Sequence, residues 1–429
     1  MRILIFTGKP IFGIEQHGGA THLTEVARGL CTLGHKVIIG SMNYKLKKSV
    51  SVTKENHITN ISIKPNTHLF SALVSLGVVF KFIKNIKRCD LVYIRASPDD
   101  FIGTLIGILW NVPIILEAND PTWTWPTLKW ADRIITPHKS LLTLNIEGKK
   151  IEGHWLAKIE KRSTIMFPGV NVEVFNPKVD GNPIRKRYNI PLDNFVIIYS
   201  GGFYAWHGIE DLIEASSEVV ERCPKAYFML VGHGPLYRKA INMVSRKGLK
   251  DHFIFTGKVP HTLMPSFIAA ADIAVAPYCP QRDIVMKKLG FYGAPGIKTL
   301  EYMAAGKPII ATNVGDMSKI IQNGFNGILI EPCNPEALAK AILYLIKNRE
   351  ISKRLSINAR KVSELLSWNQ HIEKLLFIFR GVYRNRRSIF SFLIAVYDLL
   401  IYCLHISVRR VLTRLHLGSN VPRLRRTLG

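Results

Sequence analysis

Hydrophobic residues along this chain fall into two spacings. Short unbroken apolar runs, of the kind buried on both faces of a sheet, alternate with stretches in which apolar residues recur every three or four positions. The opening "RILIF" is such a run. A glycine-containing loop follows, then Leu23, Val26, Ala27 and Leu30 at helical spacing, stopped by Gly34. "DLVYIRAS" (90–97), "VPIILEAND" (112–120), "ADRIITP" (131–137) and "TIMFPGV" (164–170) read as further strands. The Pro-, Gly- and Asn-rich stretch 170–183 reads as a linker. The pattern then restarts with strands at 195–203, 226–234, 252–259, 272–278, 307–315 and 327–332. Alternating strands and helices predict parallel sheets covered on both faces. Two doubly wound α/β domains are expected, residues 1–176 and 177–383, followed by a tail, 384–429.

The chain has 429 residues, enough for two domains of ordinary size. Its formal net charge of +27 implies an anionic partner: nucleic acid, an anionic membrane or a phosphate-bearing substrate. The charge is densest in the tail. Arginines stand at positions 384, 386, 387, 409, 410, 414, 423, 425 and 426, against a single acid, Asp398. The six cysteines form no CxxC pair and no zinc spacing, and scattered single thiols suit a reducing compartment. The N-terminus enters a strand directly, without the apolar core of a signal peptide. A cytoplasmic location is the expectation.

One stretch concentrates chemistry. "GAPGIKTLEYMAAGKPIIAT" (293–312) reads as a helix running into a buried strand. Lys298 lies in the first helical turn, where the helix dipole disfavours a cation, and Glu301 follows one turn later. The N–H groups that open a helix have no intrahelical partner. With Lys298 they form an anion site suited to a diphosphate, and Glu301 is an acceptor for a diol such as ribose. An ordinary surface Lys–Glu pair is the plain alternative.

These residues closely resemble the donor motif of family-4 retaining glycosyltransferases, of GT-B architecture. "HGGATHLTEVARGLCTLGHKV", "FPGVNVEVFNP", "SGGFYAWHGIEDLIEA", "FMLVGHGPL", "FTGKVPHTLMPSFIAAADIAVAPY" and "SWNQHIEKLLFIF" match other landmarks in order, over residues 1–383. The resemblance implies two Rossmann-like domains facing a cleft, with the last helix of the second crossing back to the first. It assigns the nucleotide sugar to the C-terminal domain and most of the acceptor site to the N-terminal one. Glu301 is then the ribose ligand, Lys298 the diphosphate cation, and the backbone at Gly296 and Ile297 a sugar-hydroxyl site. Gly232 and Val259 join the donor side. Gly18 and Gly19 match a diglycine loop whose backbone approaches the diphosphate. The chain departs from the pattern at Gly293, where the motif's first glutamate usually stands. It departs again at Gly202 and His207, which replace an Arg and a Lys that hold diphosphate, so that Arg282, Lys287 or Lys288 would supplement Lys298. Asn119 stands where a histidine often contacts the donor sugar. Asp120, and less so Glu117, are the carboxylates expected near the reacting carbon. Trp123 and Trp125 are readable as stacking platforms or as packing.

The implied activity is metal-independent hexose transfer, without a cofactor, from a nucleotide-diphosphate sugar to a glycan or lipid-linked acceptor. Rivals are a nucleotide-sugar epimerase, a phosphorylase, and a degenerate transferase serving as a membrane scaffold. A nucleic-acid partner is disfavoured, because aromatics are not interleaved with the basic residues. In the tail, "IFSFLIAVYDLLIYCLHISV" (389–408) is apolar except for a line through Ser391, Asp398 and His405, which Arg409 continues. An interfacial membrane helix is expected there, with a true span and a helix packed on the protein itself left open. Lys81, Lys84 and Lys87 or Arg88 are expected on one basic helical face.

Overall fold

The computed structural model describes residues 1–8, 18–43, 46, 48, 50–55, 57–64, 71–119, 122–143, 151–283, 287, 296–382, 388, 391–399, 401 and 402. Eight strands form the first sheet: β1 (Arg2–Thr7), β2 (Lys36–Met42), β3 (Val50–Glu55), β4 (Ile58–Ile63), β5 (Leu91–Arg95), β6 (Ile114–Glu117), β7 (Arg133–Thr136) and β8 (Ser163–Ile165). Their order is β3-β4-β2-β1-β5-β6-β7-β8, and all pairs are parallel except β3 with β4. The sheet is covered on both faces because side chains alternate along each strand. Ile3 and Ile5 of β1 point to the helices Gly18–Thr32 and Trp368–Val382. Leu4 and Phe6 point to the helices Ser71–Asn85 and Phe101–Leu109. The antiparallel β3–β4 hairpin is an addition to the pattern read from the sequence.

The second sheet holds β9 (Phe195–Ser200), β10 (Ala226–Val231), β11 (Phe253–Gly257), β12 (Ile273–Ala276), β13 (Ile309–Thr312) and β14 (Ile328–Ile330). Its order is β11-β10-β9-β12-β13-β14, parallel throughout. Val196 and Ile198 face one core, and Ile197 and Tyr199 the other.

The chain passes between the sheets twice, and the two passages are bonded to each other. Val170 N–H donates to the Leu366 carbonyl at 3.0 Å, and Trp368 N–H to the Val170 carbonyl at 3.1 Å. Arg360 pins the same junction by donating to the carbonyls of Val172, Phe175 and Ala304. The helix Trp368–Val382 then returns to the first sheet, where Ile372 lies over Gly29.

Two expectations need correction here. Cys279 and Cys333 are not free thiols. The loops after β12 and β14 bring them together across 54 residues, with Cα atoms 4.8 Å apart, and they form a disulfide. Sequence spacing carries no sign of this, because the pair is made by the convergence of two strand ends. Arg88 does not continue the basic face of Lys81 and Lys84. The helix ends at Asn85, and the Arg88 guanidinium turns to the Trp110 carbonyl.

Gly208 shows how tightly the β9 loop is held. Its φ is +71°, and a Cβ there would overlap the Pro277 carbonyl. Gly208→Ala is expected to lower stability by more than about 3 kcal/mol, since it adds both strain and a backbone clash. A denaturant midpoint equal to that of wild type would show that the loop has room.

Candidate functional site

Two glycine turns at the C-terminal edge of the second sheet and a glycine-capped helix start converge near one lysine. The loop after β9 carries Gly201 (φ +137°) and Gly202, and the turn after β10 carries Gly232 (φ +135°). A Cβ on Gly232 would strike the Gly201 carbonyl, so the two turns touch through bare backbone. Opposite them, Gly296 caps the eight-residue helix Ile297–Ala304, whose first turn carries Lys298. The Lys298 ammonium is buried and makes no hydrogen bond among the described residues. It sits 4.2 Å from the centre of the Tyr199 ring and 4.7 Å from that of Tyr278. A Cβ built on Gly201 would come within 3.2 Å of its Nζ. Burial pushes its pKa down to about 7, with Glu301 opposing that fall. Two aromatic faces attract a cation but do not neutralise it. Among the described residues the site therefore holds a cation that no carboxylate pairs with directly, next to helix-opening N–H groups and glycine backbone.

Glu301 is buried, and its carboxylate accepts from His261 Nε2 at 2.7 Å rather than pairing with Lys298. The hydrogen bond to Glu301 raises the His261 pKa, against the opposing effect of burial. His261 follows β11 and was not singled out in the sequence. It lies 40 residues from Glu301, so only the fold shows the pair. Val259, two residues before it, packs partly buried against the core. Tyr199 and Tyr278 were missed for the same reason, since each reads as an ordinary aromatic in an apolar run.

His207 is in place but carries no charge. Its Nδ1 lies by the Gly202 carbonyl and 3.1 Å from the Tyr199 hydroxyl. Burial, and then Lys298, lower its pKa to about 3. It shapes the loop as a neutral imidazole. Arg282 is corrected as a source of free charge. Its guanidinium is held by Asp211 and by Glu210 at 3.3 Å. Lys287 is exposed, while Lys288 and Gly293 lie outside the described residues. The disulfide Cys279–Cys333 flanks Asp211, and two bonded sulfurs offer no thiolate to a metal.

On the first domain, Gly18 and Gly19 open the helix Gly18–Thr32. Behind them His22 Nε2 lies 2.5 Å from Glu117, at the end of β6, and Arg95 lies 3.8 Å from the other oxygen. Burial alone would raise the Glu117 pKa, but His22 and Arg95 outweigh it and hold the carboxyl well below its ordinary value. Asn119 donates to the same Glu117 at 2.8 Å. Glu117 is thus an anchor that aims Asn119 and is not itself an exposed carboxylate. Asp120 lies outside the described residues. The segment just beyond is tied down by buried Asp100, which accepts from the Thr124 N–H at 3.1 Å and from the Thr127 hydroxyl at 2.8 Å. Trp123 is buried packing and donates to the Leu141 carbonyl, while Trp125 meets Trp155 edge to face. His22 also touches Trp368 and His371 of the returning helix. His138 reaches Asp316 of the second domain at 3.5 Å. The two domains thus contact each other through histidines on both sides.

Comparison with known proteins bears on this arrangement. Residues 180–362 match the family described as glycosyl transferases group 1. A glycosyltransferase of Methanocaldococcus jannaschii is 28% identical over 350 residues, covering 77% of this chain and 87% of that protein. The alpha-D-kanosaminyltransferase of Streptomyces kanamyceticus is 29% identical over 274 residues, 60% of this chain and 68% of its own. Among solved structures, a glycosyltransferase from Rickettsia africae superposes with a TM-score of 0.70 at 21% identity, over 90% of this chain and 99% of that one. Anabaena HepE in complex with UDP superposes with a TM-score of 0.67 at 18% identity, over 88% and 100%. Likeness over both sheets shows the GT-B fold.

Proposed function

We propose that this chain, GT-B in fold and matching the group 1 glycosyl transferases over residues 180–362, is a retaining glycosyltransferase. It moves a hexose from a nucleoside-diphosphate sugar to a glycan or lipid-linked acceptor at the cytoplasmic face of a membrane. The observation that carries the reading is Lys298, a buried cation that is unpaired among the described residues, set against the Gly201–Gly202 and Gly232 turns and the start of the helix Ile297–Ala304. A diphosphate supplies the missing charge and accepts the free N–H groups.

Glu301 takes the ribose hydroxyls, oriented by His261. Lys298 stabilises the negative charge that grows on the diphosphate as the bond from the sugar carbon to the phosphate oxygen breaks. The acceptor oxygen bonds to the same carbon on the same face, and its proton passes to the departing phosphate oxygen. No side-chain base is required, which fits an asparagine at 119. The Anabaena structures bound to UDP and to UDP-glucose support the donor class.

Thermal-shift and calorimetric titration with UDP, GDP, ADP and their sugars tests the reading, on wild type and on Glu301→Ala. Stabilisation of wild type alone by one nucleotide is the expected outcome. A well-folded protein that binds none of them would instead be a GT-B scaffold without catalysis.

A further inference from the structure

The tail does not present the face that its polar line suggested. Residues 391–399 are helical and lie against the first domain. Ala395, Leu399 and Tyr402 are buried in its core, with Tyr402 edge to face on Phe101. Asp398 points inward, where it pairs with the Lys129 ammonium and accepts from Trp130 Nε1 at 2.9 Å. His405 and Arg409 lie outside the described residues. The row left in solvent is therefore apolar. Leu393 is 59% exposed, Ile394 42%, Tyr397 63% and Ile401 47%. At 100° per residue these four fall within one third of the helix circumference, opposite the buried three. Lys129, which pairs with Asp398, also lies 5.8 Å from the ring of exposed Trp155, and Lys158 lies 5.5 Å from the same ring. Among the described residues no helix is long and apolar enough to cross a membrane.

We propose that Leu393, Ile394, Tyr397 and Ile401 form a surface that inserts into the interface of an anionic lipid bilayer, with Trp155 and its two lysines at the border. The helix is latched to the first domain through Asp398, so it lies flat and brings that domain to the lipid. Charge complementarity selects this occupant. Arginines 384, 386 and 387 precede the helix and 409, 410 and 414 follow it, while the segment holds one acid that is already neutralised by Lys129. An apolar row, an aromatic border and flanking cations are what an anionic interface recognises. The inference rests on the transferase reading only for what the membrane supplies, a lipid-linked acceptor.

The full chain is sedimented with phosphatidylcholine vesicles with and without phosphatidylglycerol, as wild type and as the triple variant Leu393→Ser, Tyr397→Ser, Ile401→Ser. These positions face solvent, so folding is expected to survive, and an unchanged melting temperature checks it. Wild type is expected to bind the phosphatidylglycerol vesicles, and the triple variant to lose at least about tenfold in partitioning. Equal partitioning of the two proteins, or no binding by wild type, overturns the proposal. So does a wild-type dimer in light scattering that the triple variant abolishes, because a second copy would then cover the row. Nucleotide titration of the same two proteins separates the readings. Donor binding without lipid binding removes the surface alone, and lipid binding without donor binding removes the transferase alone.

Discussion

Replacing Lys298 with methionine is expected to cut turnover about 100- to 1,000-fold while making the protein more stable at neutral pH. The loss follows from removing the buried cation proposed to face the leaving diphosphate, an effect of the size seen when a single charge-stabilising donor is deleted from an active site. The gain in stability follows from the same burial. The Lys298 ammonium has no hydrogen-bonding partner among the described residues, and burial lowers its pKa to about 7 in the folded chain, against about 10.4 in an unfolded one. Below about pH 7 both states are protonated and the folded state bears the full cost of a buried charge. Between about 7 and 10 the unfolded chain holds the proton and the folded chain does not, so wild-type stability rises with pH. The advantage of Lys298→Met in thermal melting is therefore largest below pH 7 and shrinks above it. Nucleotide affinity runs the other way. A bound diphosphate restores the ammonium, so binding takes up a proton, and wild-type affinity falls by up to about tenfold per pH unit above 7. Calorimetry in buffers of different ionisation enthalpy reads that uptake. A pH-independent affinity, with turnover unaltered in Lys298→Met, would remove Lys298 from the site.

Glu301→Ala is expected to weaken nucleotide binding by at least about 100-fold, with a smaller effect on the free diphosphate. A carboxylate that accepts from both hydroxyls of a ribose contributes two charge-assisted bonds, each worth roughly 1.5–3 kcal/mol. The pyrophosphate control separates this from collapse of the pocket, since the Lys298 side of the site is unchanged. His261→Asn is the companion variant. Removing an imidazole that holds Glu301 at 2.7 Å is expected to cost about tenfold through loss of orientation, and more strongly below the raised His261 pKa than above it. Equal loss for nucleotide and pyrophosphate in Glu301→Ala would mean that the carboxylate acts on the phosphate side or on folding, and not on the ribose.

Much of the architecture was legible along the chain. Strands read at 195–203, 226–234 and 307–315 appear as β9, β10 and β13, each without the glycine-bearing residues at its C-terminal end. The reason is local. A strand buried on both faces must be apolar at every position, and a covering helix must be apolar every third or fourth. The β3–β4 hairpin escaped because apolar and polar residues are interspersed in both strands; β3 is the edge strand with exposed residues, while β4 is buried inside the sheet despite its polar positions.

The site divides along the same line. Glycine turns, a helix start and the Lys298–Glu301 spacing are local signals, and by itself the sequence determined two doubly wound sheets and singled out 293–301 as the candidate phosphate site. Which charges in that site stay available was decided only in three dimensions. Arg282 is taken by Asp211 and Glu210 of the helix Ile209–Arg222, Glu301 by His261, and Asp398 of the tail by Lys129. Cys279 finds Cys333 in the same way. Each of these partners lies 40 or more residues away along the chain. Periodicity reports the environment of a residue's own element, whereas pairing depends on which strand ends the sheet order brings side by side. Lys298 stands out because, at the edge where those ends converge, its charge is left without a partner among the described residues.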